Sequence, residues 1–279
     1  MTRPDDYLMA WEDSADRVPV LWLHGFPFNA TLWDEQIDGL TDVARSIAPD
    51  LRGFGLSAPT DDRGDLARYA DDCARLLDHV GLTGPVVVAG LSMGGYLAYE
   101  LARRHPQRVA GLVLAATRAT PESAEGKAGR DAAAAEVRAH GVEAVADAML
   151  PKLLAPDSYE NRPDLVDFVA EMMLAATPEG VLGALAAMRD RPDSRPDLPG
   201  LDVPCLVIHG EDDQLIPVSE AEDTVAALPD ADLVVLPGAG HLPNLEQPEA
   251  FNAAVREFLA EVFYGDEDED EEQDDNGVD

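Results

Sequence analysis

Six short apolar runs punctuate the chain: PVLWLHG (19–25), RSIAPD (45–50), PVVVAG (85–90), VAGLVLAA (109–116), PCLVIHG (204–210) and ADLVVLPG (231–238). Each has the length of a strand and is bounded by Gly, Pro or Asp. Within a run the apolar residues occupy consecutive positions instead of alternating with polar ones, the pattern of strands covered on both faces, as in a parallel sheet. Between the runs the spacing becomes helical. Leu66, Tyr69, Ala70, Cys73, Leu76, Leu77 and Val80 fall at i, i+3, i+4, i+7, and Gly81 ends the pattern. Residues 96–105 read as another helix, stopped by Pro106. Phe251, Val255, Phe258, Leu259 and Val262 mark a C-terminal amphipathic helix after Pro248. The alternation predicts an α/β fold: a mostly parallel central sheet with helices on both faces.

One region breaks the alternation. From Arg118 to Gly200 no strand pattern occurs, and helical spacing covers 123–139, 141–150, 164–176 and 178–190. The region falls between the fourth and fifth runs, so it reads as a helical insertion whose two ends re-enter one sheet. Such an insertion lies across the strand ends, where open α/β sheets bind ligands. RPDSRPDLPG (191–200) reads as a linker. The expected organisation is a first core part (1–117), the insertion (118–198), a second core part (199–264) and an acidic tail (265–279) without fixed structure.

Composition narrows the class. No segment approaches the run of about 18–20 apolar residues that crosses a membrane. The N-terminal MTRPDDYLMAWEDSADR lacks the apolar stretch of a signal peptide. A soluble, cytoplasmic protein without membrane association is therefore expected. Cys73 sits on a helical apolar stripe and Cys205 opens an apolar strand. Both read as small buried hydrophobes, so neither a disulfide framework nor a metal cluster is expected.

The candidate chemistry centres on Gly90-Leu91-Ser92-Met93-Gly94, a G-x-S-x-G directly after a strand and directly before a helix. A sharp turn there lifts the serine hydroxyl clear of the backbone, and flanking glycines remove side chains that would collide. With 8 serines and 22 glycines in 279 residues, chance would place such a pattern about 0.05 times. Ser57 has one neighbouring glycine but no strand-to-helix setting, and reads as a loop residue. A serine hydroxyl is a weak nucleophile until a base takes its proton, and the base needs an orienting carboxylate. Of the six histidines, His79 and His105 sit near helix ends, His140 lies in the insertion, and His24 and His209 end strands and shape loops. His241 follows the last strand in Pro237-Gly238-Ala239-Gly240-His241 and is the expected base. The acid is expected in the loop Glu211-Asp212-Asp213, where spacing alone does not choose among the three. The loop after 109–116 offers Thr117-Arg118-Ala119-Thr120 and no carboxylate. Backbone N–H groups of Met93, after the nucleophile, and Phe26, in the loop after the first run, are the expected oxyanion donors.

His24-Gly25-Phe26-Pro27 with Trp33, Asp50-Leu51-Arg52-Gly53-Phe54-Gly55-Leu56-Ser57, Gly90 to Gly95, His209 to Pro217 and Gly238-Ala239-Gly240-His241 follow one another in a familiar order. Over residues 18–263 the chain resembles the α/β-hydrolase fold superfamily. The resemblance implies that the acid is Asp213, four residues before Pro217, with Asp212 as the fallback. It also implies a helical cap over the site, matching 118–198. Relatives with His-Gly-x-Pro include epoxide hydrolases and haloalkane dehalogenases, whose nucleophile is Asp; Ser92 argues against both. The chain looks closest to carboxylesterases, enol-lactonases of the 3-oxoadipate type and cofactor-free perhydrolases. The implied activity is cofactor-free hydrolysis of a small acyl substrate (ester, lactone or thioester) through an acyl-enzyme. Carbon–carbon bond hydrolysis by the same groups, and a non-catalytic ligand receptor on the same fold, are the alternatives. The cap residues Met149, Leu150, Leu153, Leu154, Met172, Met173, Leu174 and Met188 are candidates for an acyl pocket, although helical spacing makes packing the commoner role.

Charge changes the picture once more. The chain carries 55 acidic and 20 basic residues, a net charge of −35. With the 10 acids after Gly265 set aside, 45 acidic residues still face those 20 basic ones. Lys127 and Lys152 are the only lysines. Nucleic-acid binding, which needs a basic footprint, is disfavoured. An acidic, lysine-poor surface suits a cytoplasm at very high salt, where the Debye length falls to about 3 Å at 1 M and carboxylate repulsion is screened. The expected outcome is a melting temperature that climbs steeply from low to multimolar KCl; a flat response in a thermal scan would contradict a halophilic host.

Overall fold

The computed structural model describes residues 11–13, 17–58 and 64–264. The acidic tail expected at 265–279 lies outside the described residues. The strands are β1 (Trp11–Asp13), β2 (Val18–Leu23), β3 (Ala44–Pro49), β4 (Val86–Leu91), β5 (Val109–Ala115), β6 (Cys205–Gly210) and β7 (Ala231–Leu236). They form one sheet in the order β1-β3-β2-β4-β5-β6-β7. Pairing is parallel throughout except for β1, which runs antiparallel to β3 at the edge. The six apolar runs become β2 to β7. The three-residue β1 is too short to leave an apolar pattern.

The helices are α1 (Asp34–Gly39), α2 (Leu66–His79), α3 (Met93–Arg104), α4 (Ala124–His140), α5 (Glu143–Met149), α6 (Pro156–Asn161), α7 (Pro163–Leu174), α8 (Pro178–Arg189), α9 (Val218–Ala227), α10 (Pro243–Glu246) and α11 (Pro248–Tyr264). Successive strand residues face opposite ways. Leu21, Leu23, Val86, Val88, Leu112 and Leu114 therefore pack with α2, α3 and α9. Val20, Trp22, Val87, Ala89, Val113 and Ala115 pack on the other side with α11. There Trp22 and Trp33 lie 4.9 Å apart by ring centroids, and Trp33 lies 6.1 Å from Phe251. Consecutive apolar positions are thus the mark of a sheet sandwiched between two cores. Helix α2 begins where the Asp65 side chain accepts from Ala67 N at 3.0 Å, and Gly81 at φ +79° follows its end. Helix α3 starts at Met93, three residues before the sequence pattern suggests, because Gly94 and Gly95 form its first turn rather than a loop.

The stretch between β5 and β6 holds five helices, α4 to α8, and no strand. It docks on the core where backbone meets backbone. Gly53, at φ +80°, abuts Gly180 in the first turn of α8 so closely that a Cβ on either would strike the other's main chain. Thr177, the N-cap of α8, donates to Gly53 O from its N–H (3.1 Å) and its hydroxyl (2.7 Å). Residues 191–200 are mostly exposed but anchored at the buried Arg191, Ser194 and Leu198. Ser194 N donates to Ala119 O at 3.0 Å and Arg191 Nε to Thr120 O at 3.2 Å, so the exit of the stretch is tied to its entrance. Among the described residues no single helix is long and apolar enough to cross a membrane. Helices α7 and α8 pass such a test only as a pair, bent by 93°.

Sequence order steps from β2 outward to β3, then back across to β4 and on to β7. The loops after β2 and β4 consequently part company, opening a crevice at the carboxyl ends of these strands. The loop after β3 closes one side of it. Asp50 accepts from Ala30 N and Leu56 N, each at 2.8 Å, and Ser57 Oγ donates to Asp50 O at 2.7 Å. Arg52 reaches the buried Asp72 of α2 with two guanidinium nitrogens. Replacing Asp50 with Ala strips two N–H groups of their acceptor, and a loss of about 2–4 kcal/mol of stability is expected, read as a lower urea midpoint at unchanged slope.

Candidate active site

Each part of the site begins with a strand that ends at the same edge of the sheet. Strand β4 is buried at every residue. Beyond it, Ser92 takes φ 54° and ψ −109°, a backbone conformation that side-chain-bearing residues rarely adopt. Tight packing holds it there. A Cβ on Gly94 would collide with Leu23 O, and one on Gly90 with Gly94 O. Ser92 N donates to Ala115 O at 2.9 Å, and Thr117 Oγ1 donates to Ser92 O at 2.8 Å. The serine stands as N-cap of α3, where the positive end of the helix dipole favours negative charge on its oxygen.

His241 Nε2 lies 2.9 Å from Ser92 Oγ, and His241 Nδ1 lies 2.7 Å from Asp213 Oδ2. An ionised carboxylate only accepts, so Nδ1 carries the proton and Nε2 is free to accept from the serine hydroxyl. Asp213 Oδ1 accepts from Leu215 N (2.8 Å) and Ile216 N (3.0 Å), which fixes the carboxylate in its own loop. Burial by itself would raise the Asp213 carboxyl. The charge of His241, hydrogen bonding from His209 and His241, and the Ile216 N–H outweigh it and hold the group well below the usual carboxylate range. Of the three acids in this loop, Asp213 meets the imidazole, while Glu211 and Asp212 are exposed. The arrangement can pass a proton from hydroxyl to imidazole and stabilise the resulting imidazolium.

Phe26 and Ser92 line one cavity of about 170 Å³ together with His241. Neither Phe26 N nor Met93 N donates to an acceptor among the described residues. Two larger hollows, of about 330 Å³ and 270 Å³, contain neither a serine nor a histidine, so size alone does not mark the site.

The other histidines have structural partners. His24 is fully buried; its Nε2 accepts from Leu51 N at 3.0 Å, so Nδ1 carries the proton and donates to Gly25 O at 2.8 Å. Burial lowers its pKa. His24 thereby ties the loop after β2 to the loop after β3. His209 Nε2 donates to Ile216 O at 2.8 Å and lies 3.3 Å from Asp213 Oδ2, bracing the acid loop from below. His105 pairs with Asp71 and His140 with Glu136, both away from Ser92. Ser57 is a loop residue, bonded to Asp50 O.

Several residues at the site carried no recognisable sequence signal. Glu246 is one: its Oε1 accepts from Ala155 N and Ser158 Oγ at 2.7 Å, and its Oε2 from Gly240 N at 2.6 Å. With His241 N donating to Leu153 O at 2.9 Å, it fastens the histidine loop to the 118–198 stretch. Of the apolar residues in that stretch, Met149 and Met188 line the cavity. Leu153, Leu154, Met172 and Met173 are buried in the core instead, and Leu174 is exposed. Arg118 and Arg130 also line the cavity. Arg118 lies in the loop after β5, where residues 117–120 carry no carboxylate but Glu122, just beyond them, is a buried one, and Arg130 is hidden among the polar positions of α4.

Comparison with known proteins identifies the family. A family model described as the alpha/beta hydrolase family matches residues 20–254. A thermophilic esterase from Thermogutta terrifontis, solved with malate bound, superposes with a TM-score of 0.89 at 44% identity, covering 91% of this chain and 93% of that one. The enol-lactonase from Burkholderia xenovorans LB400 gives 0.83 at 27% identity, covering 90% and 96%. The 3-oxoadipate enol-lactonase 2 of Acinetobacter baylyi is 29% identical over 245 residues, 88% of this chain and 90% of its own length. The chain belongs to the alpha/beta hydrolase family and is a hydrolase.

Proposed function

We propose that the protein is a serine hydrolase of small carboxylic esters and lactones. The observation that carries this reading is the unbroken chain of contacts Ser92 Oγ–His241 Nε2–His241 Nδ1–Asp213 Oδ2, at 2.9 and 2.7 Å, assembled from three separate strand-end loops. The esterase and enol-lactonase names of its relatives support the bond type.

In the first half-reaction Ser92 Oγ attacks the acyl carbon while its proton passes to His241 Nε2. The carbonyl oxygen becomes an oxyanion, received by Phe26 N–H and Met93 N–H. The carbon–oxygen bond to the leaving group then breaks, and the imidazolium returns the proton to the departing alkoxide. In the second half-reaction His241 takes a proton from water, whose oxygen attacks the acyl-enzyme. The bond to Ser92 Oγ breaks and the hydroxyl regains its proton, releasing a carboxylic acid. Asp213 keeps Nδ1 protonated throughout and offsets the imidazolium charge. The 118–198 stretch acts as a cap, supplying Met149 and Met188 to the cavity wall.

Ser92→Ala should retain the fold and lose about 10⁴-fold or more of kcat on p-nitrophenyl acetate; stopped-flow kinetics should show a p-nitrophenol burst in the wild type and none in the variant. Retained turnover in Ser92→Ala would refute the assignment. Asp213 also links stability to pH. Its folded pKa is lowered from 3.8, so its contribution is present in full above that value and is lost as pH falls towards the folded pKa. Urea titrations should show a wild-type advantage over Asp213→Asn that is constant above about pH 5 and shrinks below about pH 4.

A further inference from the structure

We propose that the cavity beside Ser92 selects esters bearing a second, ionised carboxylate, and that Arg118 and Arg130 receive it. The proposal rests on the hydrolase reading and names the substrate class of that same site.

Two guanidinium groups line this small cavity in a protein of net charge −35 with only 20 basic residues. They come from different elements: Arg118 from the loop after β5, directly after Thr117, whose hydroxyl holds the Ser92 carbonyl, and Arg130 from α4. Both point their polar ends at Glu122, and a third arginine, Arg191, does the same. Three positive groups therefore share one carboxylate, leaving two positive charges in excess.

The three are not equivalent. Arg191 makes the closest contact, Nη1 to Glu122 Oε2 at 2.9 Å. It also donates to Met188 O at 3.0 Å and Thr120 O at 3.2 Å, and it stacks 4.4 Å from the centre of the Tyr96 ring. Its side chain is only 2% exposed. Arg191 alone accounts for the need to neutralise Glu122 and to tie the cap to the core. The contacts of Arg130 Nε and Arg118 Nη2 with Glu122 are longer, at 3.2 and 3.4 Å. Arg118 Nε is buried and has no acceptor among the described residues. Arg191 Nη2 is unmatched in the same way, so an orphaned donor does not single out Arg118; what sets Arg118 and Arg130 apart is that both side chains line the cavity beside Ser92. A planar fork of donors matches a carboxylate, and the Glu122 brace holds both forks in place before a ligand arrives. The negative charge nearest the nucleophile, Asp213, is taken up by His241 Nδ1 and by backbone N–H groups. The cavity is therefore cationic on its Arg118 and Arg130 side and apolar at Met149 and Met188. That pattern fits a short acid with an apolar middle.

The test compares the monomethyl esters of succinate, glutarate and adipate with the matching dimethyl esters, and O-acetylglycolate with its methyl ester. The first set puts the carboxylate on the acyl part, the second on the alcohol part. In at least one set the charged ester should have a kcat/KM about tenfold or more above its neutral partner, and Arg118→Gln and Arg130→Gln should each reduce that ratio about tenfold. A ratio near one in both sets, or a high ratio that neither substitution changes, would overturn the proposal. Calorimetry on Ser92→Ala gives an answer that needs neither turnover nor an arginine variant: the charged ester of the preferred set should bind about tenfold tighter than the neutral one, and equal or weaker binding in both sets would overturn the proposal. The hydrolase reading is judged separately, by whether Ser92→Ala abolishes hydrolysis of p-nitrophenyl acetate.

Discussion

The constraint on which the rest of the structure depends is the backbone of Ser92. A non-glycine residue at φ 54° stores about 1–3 kcal/mol of strain, and it persists only where its surroundings leave no alternative. Here they leave none. Strand β4 is buried throughout and hydrogen-bonded on both edges, to β2 and β5. Helix α3 starts immediately after the serine, and its first turn passes so close to β2 that only glycine fits at Gly94. The peptide of Ser92 is gripped on both sides, N–H by Ala115 O and carbonyl by Thr117 Oγ1. The hydroxyl direction is therefore set by the centre of the sheet, and the histidine and acid loops are arranged around it.

Those loops are held by a different device. At the carboxyl end of the sheet the ladder of main-chain bonds runs out, and each departing loop carries N–H groups that need acceptors. Buried carboxylates supply them. Asp50 serves Ala30 and Leu56, Asp213 serves Leu215 and Ile216, and Glu246 serves Ala155 and Gly240. Each crosslinks segments that no strand pairing joins. Asp213 spends one oxygen on its loop and the other on His241, so the group that orients the imidazole is itself anchored by main chain. Glu246 does the equivalent for His241 from the far side, through Gly240. Burial pushes the Glu246 carboxyl up, against its three donors and Arg162. That is the cost of making one side chain hold the 118–198 stretch and the histidine loop together.

Much of this was legible from residue order, for physical reasons that differ by element. Strands β2 to β7 could be read because a sheet covered on both faces leaves no polar alternation. Ser92 and His241 could be read because an elbow needs glycines and a strand-end loop before a helix has few occupants. The choice of Asp213 over Asp212 needed the family resemblance, because two adjacent acids differ only in which one the loop turns inward. The short elements β1, α6 and α10 were invisible because three to six residues complete no hydrophobic period. Gly94 and Gly95 hid the start of α3, since glycine in a helix reads as a break until the strand packed against it is known. Glu246, Arg118 and Arg130 were illegible for a further reason. Glu246 meets partners 88 and 91 residues away, and Arg118 and Arg130, although only four and eight residues from Glu122, lie in a loop and a helix where a charged residue looks solvent-facing until the cavity is in view.

The distribution of the few basic residues connects the acidic surface to the site. Nearly all are arginines, and several bind carboxylates on other elements: Arg52 with Asp72, Arg104 with Asp71, Arg108 with Asp78, Arg189 with Asp131, Arg256 with Asp42. In a chain where acids outnumber bases by 55 to 20, a guanidinium placed anywhere finds a carboxylate, and the forked geometry lets it hold two oxygens at once. The exposed pairs contribute little individually. Arg118 and Arg130 differ from these pairs in lining the cavity beside Ser92. These two are placed where three arginines converge on the single carboxylate of Glu122. Two more acids there would have cancelled both excess charges at no cost to an already acidic composition. That the site retains the imbalance, while the rest of the surface is driven towards negative charge, is the reason to assign those two arginines to a ligand rather than to the fold.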